Sequence, residues 1–454
     1  MDILDKILSL GTHILMPLLM FILAVFMRAK LLEAFKGALY IGVALLGISM
    51  ISSYFLDNAA PVVQGINVLF GNEKDIADVG WPVIAMLAWS VKSTFLIVPI
   101  HIIINSIMLK FKLTSTVNVD IWNYWHMAVA SFIVYSVTAN IILAIAADIV
   151  ISIINLKLCD WANPAVKEVY DIEDTQCIST ANGLVYMPFA VMGNALIDKI
   201  PYVRKISVVP KNLKGNIKYL FNPGIVAFII GLIFALVAGQ GFIDSISFGM
   251  KLGAVFLILP LVISLLKEGF TPVSNATATF AMKHITKGRK VYVGVNQLIT
   301  ADNPSLRITA ILLIPITVIL SISIPAIRIF PMGDLMNIIS IITVIVAVSR
   351  GDIFRSVIIS IPVVLLSLFS STVCAEYYTA AAANIGYDMG AVTGSFAAAL
   401  NGNTYICIWL AELLQGNIWA ILFTAVMAAF MWLCYRYYKK TSLNKISVYE
   451  DSRR

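Results

Sequence analysis

Apolar stretches of about 20 residues recur along almost the whole chain. A helical run of that length crosses the roughly 30 Å hydrocarbon core of a bilayer, with its backbone polar groups bonded internally. Of the 454 residues, 60% are hydrophobic and 13% are charged, whereas a soluble domain has about 25% charged residues. The ten-residue alternation of an outer-membrane barrel is not seen. The sequence therefore predicts an all-α polytopic membrane protein.

The apolar pattern divides into eleven predicted crossings. They are residues 15–27, 38–55, 82–109, 124–156, 178–197, 224–238, 248–266, 306–324, 335–348, 355–373 and 418–433. Two of these, 82–109 and 124–156, exceed one straight crossing, so we expect tilt, a break or an interfacial extension there. The N-terminal residues lack a basic region and a cleavage pattern, so we expect no removable signal peptide.

Basic residues are concentrated in short loops between the apolar runs. Residues 199–218 contain six Lys or Arg and no acid, and residues 267–290 and the tail from Arg436 are similarly basic. Residues 57–80 instead carry four acids and one Lys, and residues 160–174 are also acid-leaning. Because cytoplasmic loops are enriched in Lys and Arg, the N-terminus is predicted outside and the C-terminus inside. The membrane topology then explains the net charge of +7 without a nucleic-acid partner.

Two segments combine apolar character with residues that interrupt a helix. The first, 178–197, contains Asn182 and Gly183, and the second, 391–413, contains the run Asn-Gly-Asn-Thr at 401–404. Irregular backbone at membrane depth survives only inside protein or beside a water-filled cavity. We therefore expect re-entrant segments that border a transport site. The alternative is that these small and polar residues only help helices pack.

A polar and aromatic cluster occupies residues 117–126. If this stretch is helical from Asp120, then Asp120, Asn123 and His126 share one face, and Trp122 and Trp125 lie on the other side. Carboxylate, amide and imidazole groups hydrogen-bond sugar hydroxyls, while aromatic rings cover the C–H faces of a sugar. The alternative is an aromatic anchor at the membrane interface.

Other ionisable residues offer weaker candidates. Asp334 precedes an apolar run and is either the N-cap of a helix or a ligand-binding carboxylate. Arg350 and Arg355 lie on a predicted cytoplasmic turn, where they either meet a phosphate or acidic partner or simply follow the topology. The four His and five Cys show no metal-like or redox-like spacing, and no phosphate loop or catalytic motif occurs. We expect no metal, no cofactor and no catalytic residue.

Several motifs together resemble one family. They are residues 78–82 (Asp-Val-Gly-Trp-Pro), 117–123 followed by Trp125-His126, 186–188 (Tyr-Met-Pro), 331–334 (Pro-Met-Gly-Asp), and Arg350-Gly351 with Phe354-Arg355. In this order they resemble the galactitol-type IIC permeases, which are membrane subunits of the bacterial phosphoenolpyruvate-dependent sugar phosphotransferase system and are related to the ascorbate permeases. The resemblance covers nearly the whole chain.

The resemblance implies a homodimeric inner-membrane permease of about eleven helices that moves a polyol or sugar inward by alternating access. Core and dimer-forming subdomains would interleave within residues 1–440, and 441–454 would form a cytoplasmic tail. A separate IIB subunit, phosphorylated on cysteine and recharged by IIA, would phosphorylate the cargo. By resemblance, Asp334 and the segment around Thr180 and Asn182 contribute to the substrate site.

One departure concerns the first re-entrant segment, where the family usually has Pro-His-Gly and this chain has Ser-Thr-Ala-Asn-Gly at residues 179–183. Either Thr180 or Asn182 replaces the histidine, or the ligand differs from galactitol. With Trp81 and Trp122 as stacking residues, we hypothesise a polyol-importing permease. A cation-coupled secondary transporter, in which Asp120 or Asp334 titrates or binds Na⁺, is the alternative. A membrane enzyme acting on a lipid-linked sugar is a second one.

Overall fold

The computed structural model of the protein describes residues 12–69, 74–89, 94–118, 121–170, 172, 174–210, 223–301, 303–384 and 394–443. Most of these residues are helical, and within them six helices are long and apolar enough to cross a bilayer. Five shorter apolar helices accompany them in the same ranges. The protein is thus a mostly helical, multi-pass membrane protein, as the sequence predicts.

The helices are named in chain order. They are α1 (Thr12–Phe26), α2 (Leu31–Leu69), α3 (Gly80–Trp89), α4 (Thr94–Lys110), α5 (Ile121–Thr138), α6 (Ile141–Val169), α7 (Ala181–Leu184), α8 (Met187–Lys199), α9 (Pro223–Val237), α10 (Phe242–Phe280), α11 (Pro304–Ser323), α12 (Ile338–Val348), α13 (Ile353–Asn384), α14 (Thr404–Leu414) and α15 (Ile418–Tyr438). Short 3-10 turns lie at Val203–Lys205, Gln297–Thr300 and Leu335–Asn337, and π turns at Ala281–Ile285 and Lys439–Leu443.

Five very short strands connect the broken helices. They are β1 (Ala77–Asp78), β2 (Thr116–Asn118), β3 (Gln176–Ile178), β4 (Tyr292–Val295) and β5 (Phe396–Ala397). All pair in parallel, β2 and β3 flanking β4 in one sheet and β1 pairing with β5 in another. Because β1, β2 and β3 each lead into a helix within a few residues, these strands direct helix N-termini toward the protein interior.

The long crossing predicted at residues 124–156 is two helices, α5 and α6. Ala139 has a left-handed φ of 50°, and the Asn140 side chain caps α6 by accepting hydrogen bonds from two backbone N–H groups at 2.9 and 3.3 Å. The stretch predicted at 82–109 contains α3 and α4, and residues 90–93 between them lie outside the described residues. Of the three explanations predicted for a long crossing, a break is the one that applies to 124–156.

The predicted acidic outer loop at 160–174 is wrong in its first part, because α6 continues through Val169. Asp160 lies inside this helix, where its carboxylate accepts hydrogen bonds from the backbone N–H of Ser115 and the hydroxyl of Thr116, both at 3.0 Å. These bonds to the β2 segment compensate for the acid in an otherwise apolar helix. A contact from a distant part of the chain therefore extends the helix past its predicted end.

Several predicted crossings are half-helices. The segment predicted at 178–197 is α7 and α8, separated by a two-residue turn, and α12 and α14 have 11 residues each. Eleven residues of helix span about 16 Å, roughly half of the hydrocarbon core. The broken character predicted for both interrupted segments is present.

Four helices, α1, α2, α9 and α10, pack mainly on one another, and we call them the paired-helix group. Helices α2 and α10 have 39 residues each and run antiparallel, since a Cβ on Gly37 would meet Gly269 and one on Gly47 would meet Val262. Such close approach depends on small residues, as is usual between membrane helices. The remaining helices form the broken-helix group, which contains every strand.

The contact between α9 and α10 yields a stability prediction. A Cβ on Gly249 would lie 2.7 Å from the backbone oxygen of Phe228, so Gly249→Leu must push the two helices apart. We expect a lower apparent Tm in detergent, with a loss of roughly 1–3 kcal/mol as for other overpacked contacts. The matched control is Met250→Leu at the next position, which is 64% exposed and should leave Tm unchanged. Equal Tm values for the two variants would contradict this packing.

Candidate functional site

The carboxylate of Asp78 ties together three segments that are distant in sequence. Its Oδ1 accepts hydrogen bonds from the backbone N–H groups of Gly80 and Ala399, both at 3.1 Å. Its Oδ2 accepts one from the backbone N–H of Asp334 at 2.9 Å. The side chain is buried, and it satisfies three backbone donors that have no helical partner.

Asp334 completes this arrangement from the opposite side. Its Oδ1 accepts from the backbone N–H of Trp81 at 3.2 Å, and its Oδ2 accepts from that of Leu400 at 2.9 Å. Asp334 therefore does not use its carboxylate as a local N-cap, which was one of the two roles that the sequence allows. The carboxylate instead connects the start of α3 to the loop before α14, in a fully buried position.

A chain of side-chain amides joins the two broken segments. The Asn182 amide donates to Asn337 Oδ1 at 2.9 Å, and Asn337 in turn donates to the backbone oxygen of Leu400 at 3.0 Å. The backbone N–H of Gly402 donates to Asn182 Oδ1. A Cβ on Gly402 would collide with the backbone oxygen of Asn182, so this contact requires glycine. The two interrupted segments thus meet at their non-helical parts.

Helix α5 supplies two of the predicted side chains to the same region. Asn123 Oδ1 accepts a hydrogen bond from the backbone N–H of Ala181 at 3.0 Å. The His126 ring nitrogen Nδ1 lies 3.3 Å from Asn403 Oδ1, and the Asn403 amide donates to the backbone oxygen of His126 at 2.9 Å. Asn123 therefore contacts the first broken segment and His126 the second. Asp120, the third residue predicted on this face, lies outside the described residues.

The predicted aromatic residues and Thr180 differ in their contacts and in their burial. Trp81 stacks on Trp125 with ring centroids 5.8 Å apart, and Trp125 stacks on His126 at 3.9 Å. Trp125 is buried by these rings, whereas Trp81 is half-buried. The side chain of Trp122 lies outside the described part of the structure. Thr180 accepts a hydrogen bond from the backbone N–H of Gln297 at 3.2 Å.

Beside this network lie buried polar atoms without hydrogen-bond partners among the described residues. They are Asn401 Oδ1 and Nδ2, Thr404 Oγ1, Tyr378 OH, Asn123 Nδ2 and Gln297 Oε1. The Tyr378 hydroxyl lies close enough to the side chains of Thr404 and Asn401 to interact with them weakly, although none of these groups makes a hydrogen bond of normal geometry. Each unsatisfied buried polar atom costs roughly 1–3 kcal/mol, so a cluster of them indicates a place for a ligand or water.

Of these residues, only Asn123 was predicted from the sequence as a site residue. Asn401 and Thr404 were noticed only because they interrupt an apolar segment, and Tyr378 lies in a helix whose sequence looks ordinary. A density of amides and hydroxyls within an apolar stretch was the available signal for the first two. No such signal was available for Tyr378, because only the packing of α13 brings its side chain to the cluster.

The arginines of the predicted cytoplasmic turn already have acidic partners. Arg350 Nε lies 3.5 Å from Glu168 Oε1, and Arg355 Nη1 lies 2.8 Å from Asp198 Oδ1. Both arginines line a cleft of about 410 Å³ that also contains Asp352. The acids offset the charge of the two arginines. The ion pairs therefore help to hold α6, α8 and α13 together, and this role explains the arginines as well as an anion site would.

Chemically, the site offers amides, hydroxyls and an imidazole in a buried setting. Within the described ranges there is no group of three His, Cys, Asp or Glu side chains that fits a metal ion. Both carboxylates are occupied by backbone donors. Amides donate and accept hydrogen bonds, which suits a neutral molecule with many hydroxyl groups.

Comparison with known proteins gives a consistent result. The family model described as PTS system sugar-specific permease component matches residues 6–393 of this chain. The putative permease IIC component of Escherichia coli strain K12 is 28% identical over 401 residues, which cover 88% of this chain and 91% of that protein. The PTS galactitol-specific EIIC component of the same strain is 28% identical over 387 residues, 85% of each chain.

The role of the Asp78 carboxylate leads to a prediction. In Asp78→Asn an amide N–H₂ replaces one acceptor oxygen and faces backbone donors, so we expect a loss of roughly 2–4 kcal/mol and a lower apparent Tm. Asp75→Asn is the matched control. Asp75 is half-exposed and pairs with Arg328, whose hydrogen bonds lower the pKa of the Asp75 carboxyl, and such surface pairs contribute less than about 1 kcal/mol. A stable Asp78→Asn variant would contradict the assigned role.

Proposed function

This chain belongs to the PTS sugar-specific permease components, and from that premise we propose that it carries a neutral polyol such as galactitol into the cell. Membership makes it a sugar or polyol permease component of a phosphotransferase system. The finer proposal, a polyol, depends on one observation. The buried and unpartnered polar atoms at the meeting point of the broken segments are amides and hydroxyls.

We assign the residues of the site in two roles. The substrate would contact Asn401, Thr404, Tyr378 and the free amide hydrogens of Asn123, with His126 and Trp81 at the edge. Asp334, Asn182 and Thr180 would position the broken segments, because their polar atoms already hold backbone groups or Asn337. Asp120 and Trp122 remain proposed substrate contacts because of their spacing to Asn123 and His126 in the sequence.

The way cargo reaches the site follows from its burial. Asn123, Asn401, Thr404 and Tyr378 are fully buried, so the substrate enters only if helices separate. We propose that the broken-helix group moves against the paired-helix group, which would open the site first outward and then inward. The basic loops favour a topology with the N-terminus outside and the C-terminus inside, within the bacterial inner membrane.

The proposed partners follow from family membership. A soluble IIB subunit, phosphorylated on cysteine and recharged by IIA, would phosphorylate the polyol on the cytoplasmic side. Phosphorylation traps the product because the charged molecule no longer fits a neutral site. We propose a homodimer in which the paired-helix group forms the interface, since its exposed faces are largely apolar.

Product chemistry tests the transport mechanism. Right-side-out vesicles that contain the protein, IIB, IIA and phosphoenolpyruvate should accumulate galactitol or a related polyol as its phosphate. Omission of IIB should abolish accumulation, and dissipation of ion gradients should leave it unchanged. Accumulation of free polyol driven by a Na⁺ or proton gradient would instead establish a secondary transporter.

Substitution of one unpartnered hydroxyl tests the site itself. Thr404→Val removes a buried hydroxyl that makes no hydrogen bond of normal geometry in the described structure and only a weak contact with Tyr378, so we expect little loss in apparent Tm. If that hydroxyl bonds the substrate, KM for the polyol should rise roughly 3- to 10-fold.

Thr317→Val is the matched control, because Thr317 is also a buried helical threonine but donates to the backbone oxygen of Leu313 at 2.7 Å. It should leave KM unchanged. An unchanged KM in Thr404→Val would remove Thr404 from the site, and a raised KM in both variants would point to a general effect of helix packing.

A further inference from the structure

A second recess lies far from the polyol site, within the paired-helix group. It is a cleft of about 550 Å³ between the turn that joins α1 to α2 and the C-terminal end of α10. We call it the basic cleft, because its charged lining is Arg28, Lys30, Lys36, Lys283, His284, Glu33 and Glu268. The volume lies in the range of small-ligand sites, and the polyol mechanism does not use it.

The charges of the basic cleft are not balanced. Lys30 pairs with Glu33 at 3.1 Å, and Lys36 pairs with Glu268 at 3.0 Å. Arg28 and Lys283 have no acidic partner among the residues that the structure describes. Four Lys or Arg against two Glu leave a net charge of +2, before any protonation of His284. A bound anion would compensate for this charge.

The position of the basic cleft relates it to the bilayer surface. Helices α2 and α10 are each about 58 Å long, about twice the hydrocarbon thickness, so neither helix lies wholly within the hydrocarbon. Next to the cleft, at the start of α2, Leu31, Leu32 and Phe35 are 65%, 80% and 60% exposed. Exposed apolar side chains of this size belong in hydrocarbon. The cleft is therefore at the boundary between acyl chains and headgroups.

Polar side chains of α10 also line the basic cleft. Thr271, Asn275 and Thr279 lie on the same wall as Lys283, about one helical turn apart, and provide hydrogen-bonding groups beside the unpaired cations. A planar guanidinium and a lysine ammonium facing one recess are a suitable combination for phosphate oxygens. The apolar rim distinguishes this site from a cleft for a free ion.

We propose that the basic cleft binds the phosphate group of an anionic phospholipid. Arg28 and Lys283 contact the phosphate oxygens, Thr279 and Asn275 contact the glycerol and headgroup hydroxyls, and the acyl chains lie along Leu31, Leu32 and Phe35. Because the cleft joins the start of α2 to the end of α10, the bound lipid holds these two helix ends together. This site does not depend on the identity of the transported molecule.

The test measures lipid binding by the full-length protein in detergent. Phosphatidylglycerol should raise the apparent Tm in a saturable way, since a ligand that binds only the folded state stabilises it. The double variant Arg28→Gln/Lys283→Gln should bind about 30-fold more weakly, because each basic residue near an anionic lipid contributes a factor of about five. Native mass spectrometry should show the same loss of bound lipid.

Charge-matched controls separate this site from a general effect of net charge. Lys110→Gln/Lys199→Gln removes two exposed basic residues outside the cleft and should keep the phosphatidylglycerol response. Arg28→Lys/Lys283→Arg, which retains both charges, should keep most of it. If the glutamine double variant folds poorly, the two single glutamine variants should each bind about five-fold more weakly.

Four outcomes would overturn the proposal. The first is an unchanged phosphatidylglycerol response in the glutamine double variant, and the second is an equal response of the unmodified protein to phosphatidylcholine. The third is full competition by millimolar inorganic phosphate. The fourth is a loss of IIB binding in the glutamine double variant without any loss of lipid binding. The third would assign the cleft to a free anion, and the fourth to a soluble protein partner. None of these results depends on whether the polyol is correctly identified.

Discussion

The structure depends on hydrogen bonds that satisfy backbone groups where helices are broken inside the membrane. No water is available there, so each free N–H or C=O costs several kcal/mol. Asp78 and Asp334 meet most of this need, since their four oxygens accept five backbone N–H groups from the starts of α3 and α14 and from Asp334 itself. Without such acceptors, the short strands and half-helices would not be stable within the membrane.

The same arrangement produces the candidate site. Backbone groups are satisfied by carboxylates and by the Asn182–Asn337 pair, which leaves Asn401, Thr404 and Tyr378 with polar atoms that have no partner in the described structure. The carboxylates therefore have a structural role, and the groups that we propose as substrate contacts are neutral. This division favours a neutral polyol over a cation, because carboxylate oxygens that already accept backbone hydrogen bonds make poor ligands for Na⁺.

The two groups of helices divide the work of the molecule. The paired-helix group consists of long helices packed through glycines such as Gly37 and Gly249, which is a rigid design. The broken-helix group carries the strands, the half-helices and the polar network. A rigid element beside an element with many short pieces suits the alternating access that we propose, and the proposed lipid site lies at one end of the rigid element.

The sequence by itself determined the class of fold, because hydropathy and length fix helices in lipid whatever their neighbours are. It also determined the two broken segments and the polar face of Asn123 and His126, since Gly, Asn and helical spacing are local properties. Only tertiary structure decided that Asp334 holds Trp81 and Leu400 rather than capping its own helix, that Asp160 continues α6, and that Tyr378 joins Asn401. These outcomes depend on contacts with residues that are distant in the chain, and a local sequence pattern does not indicate which distant residues will be in contact.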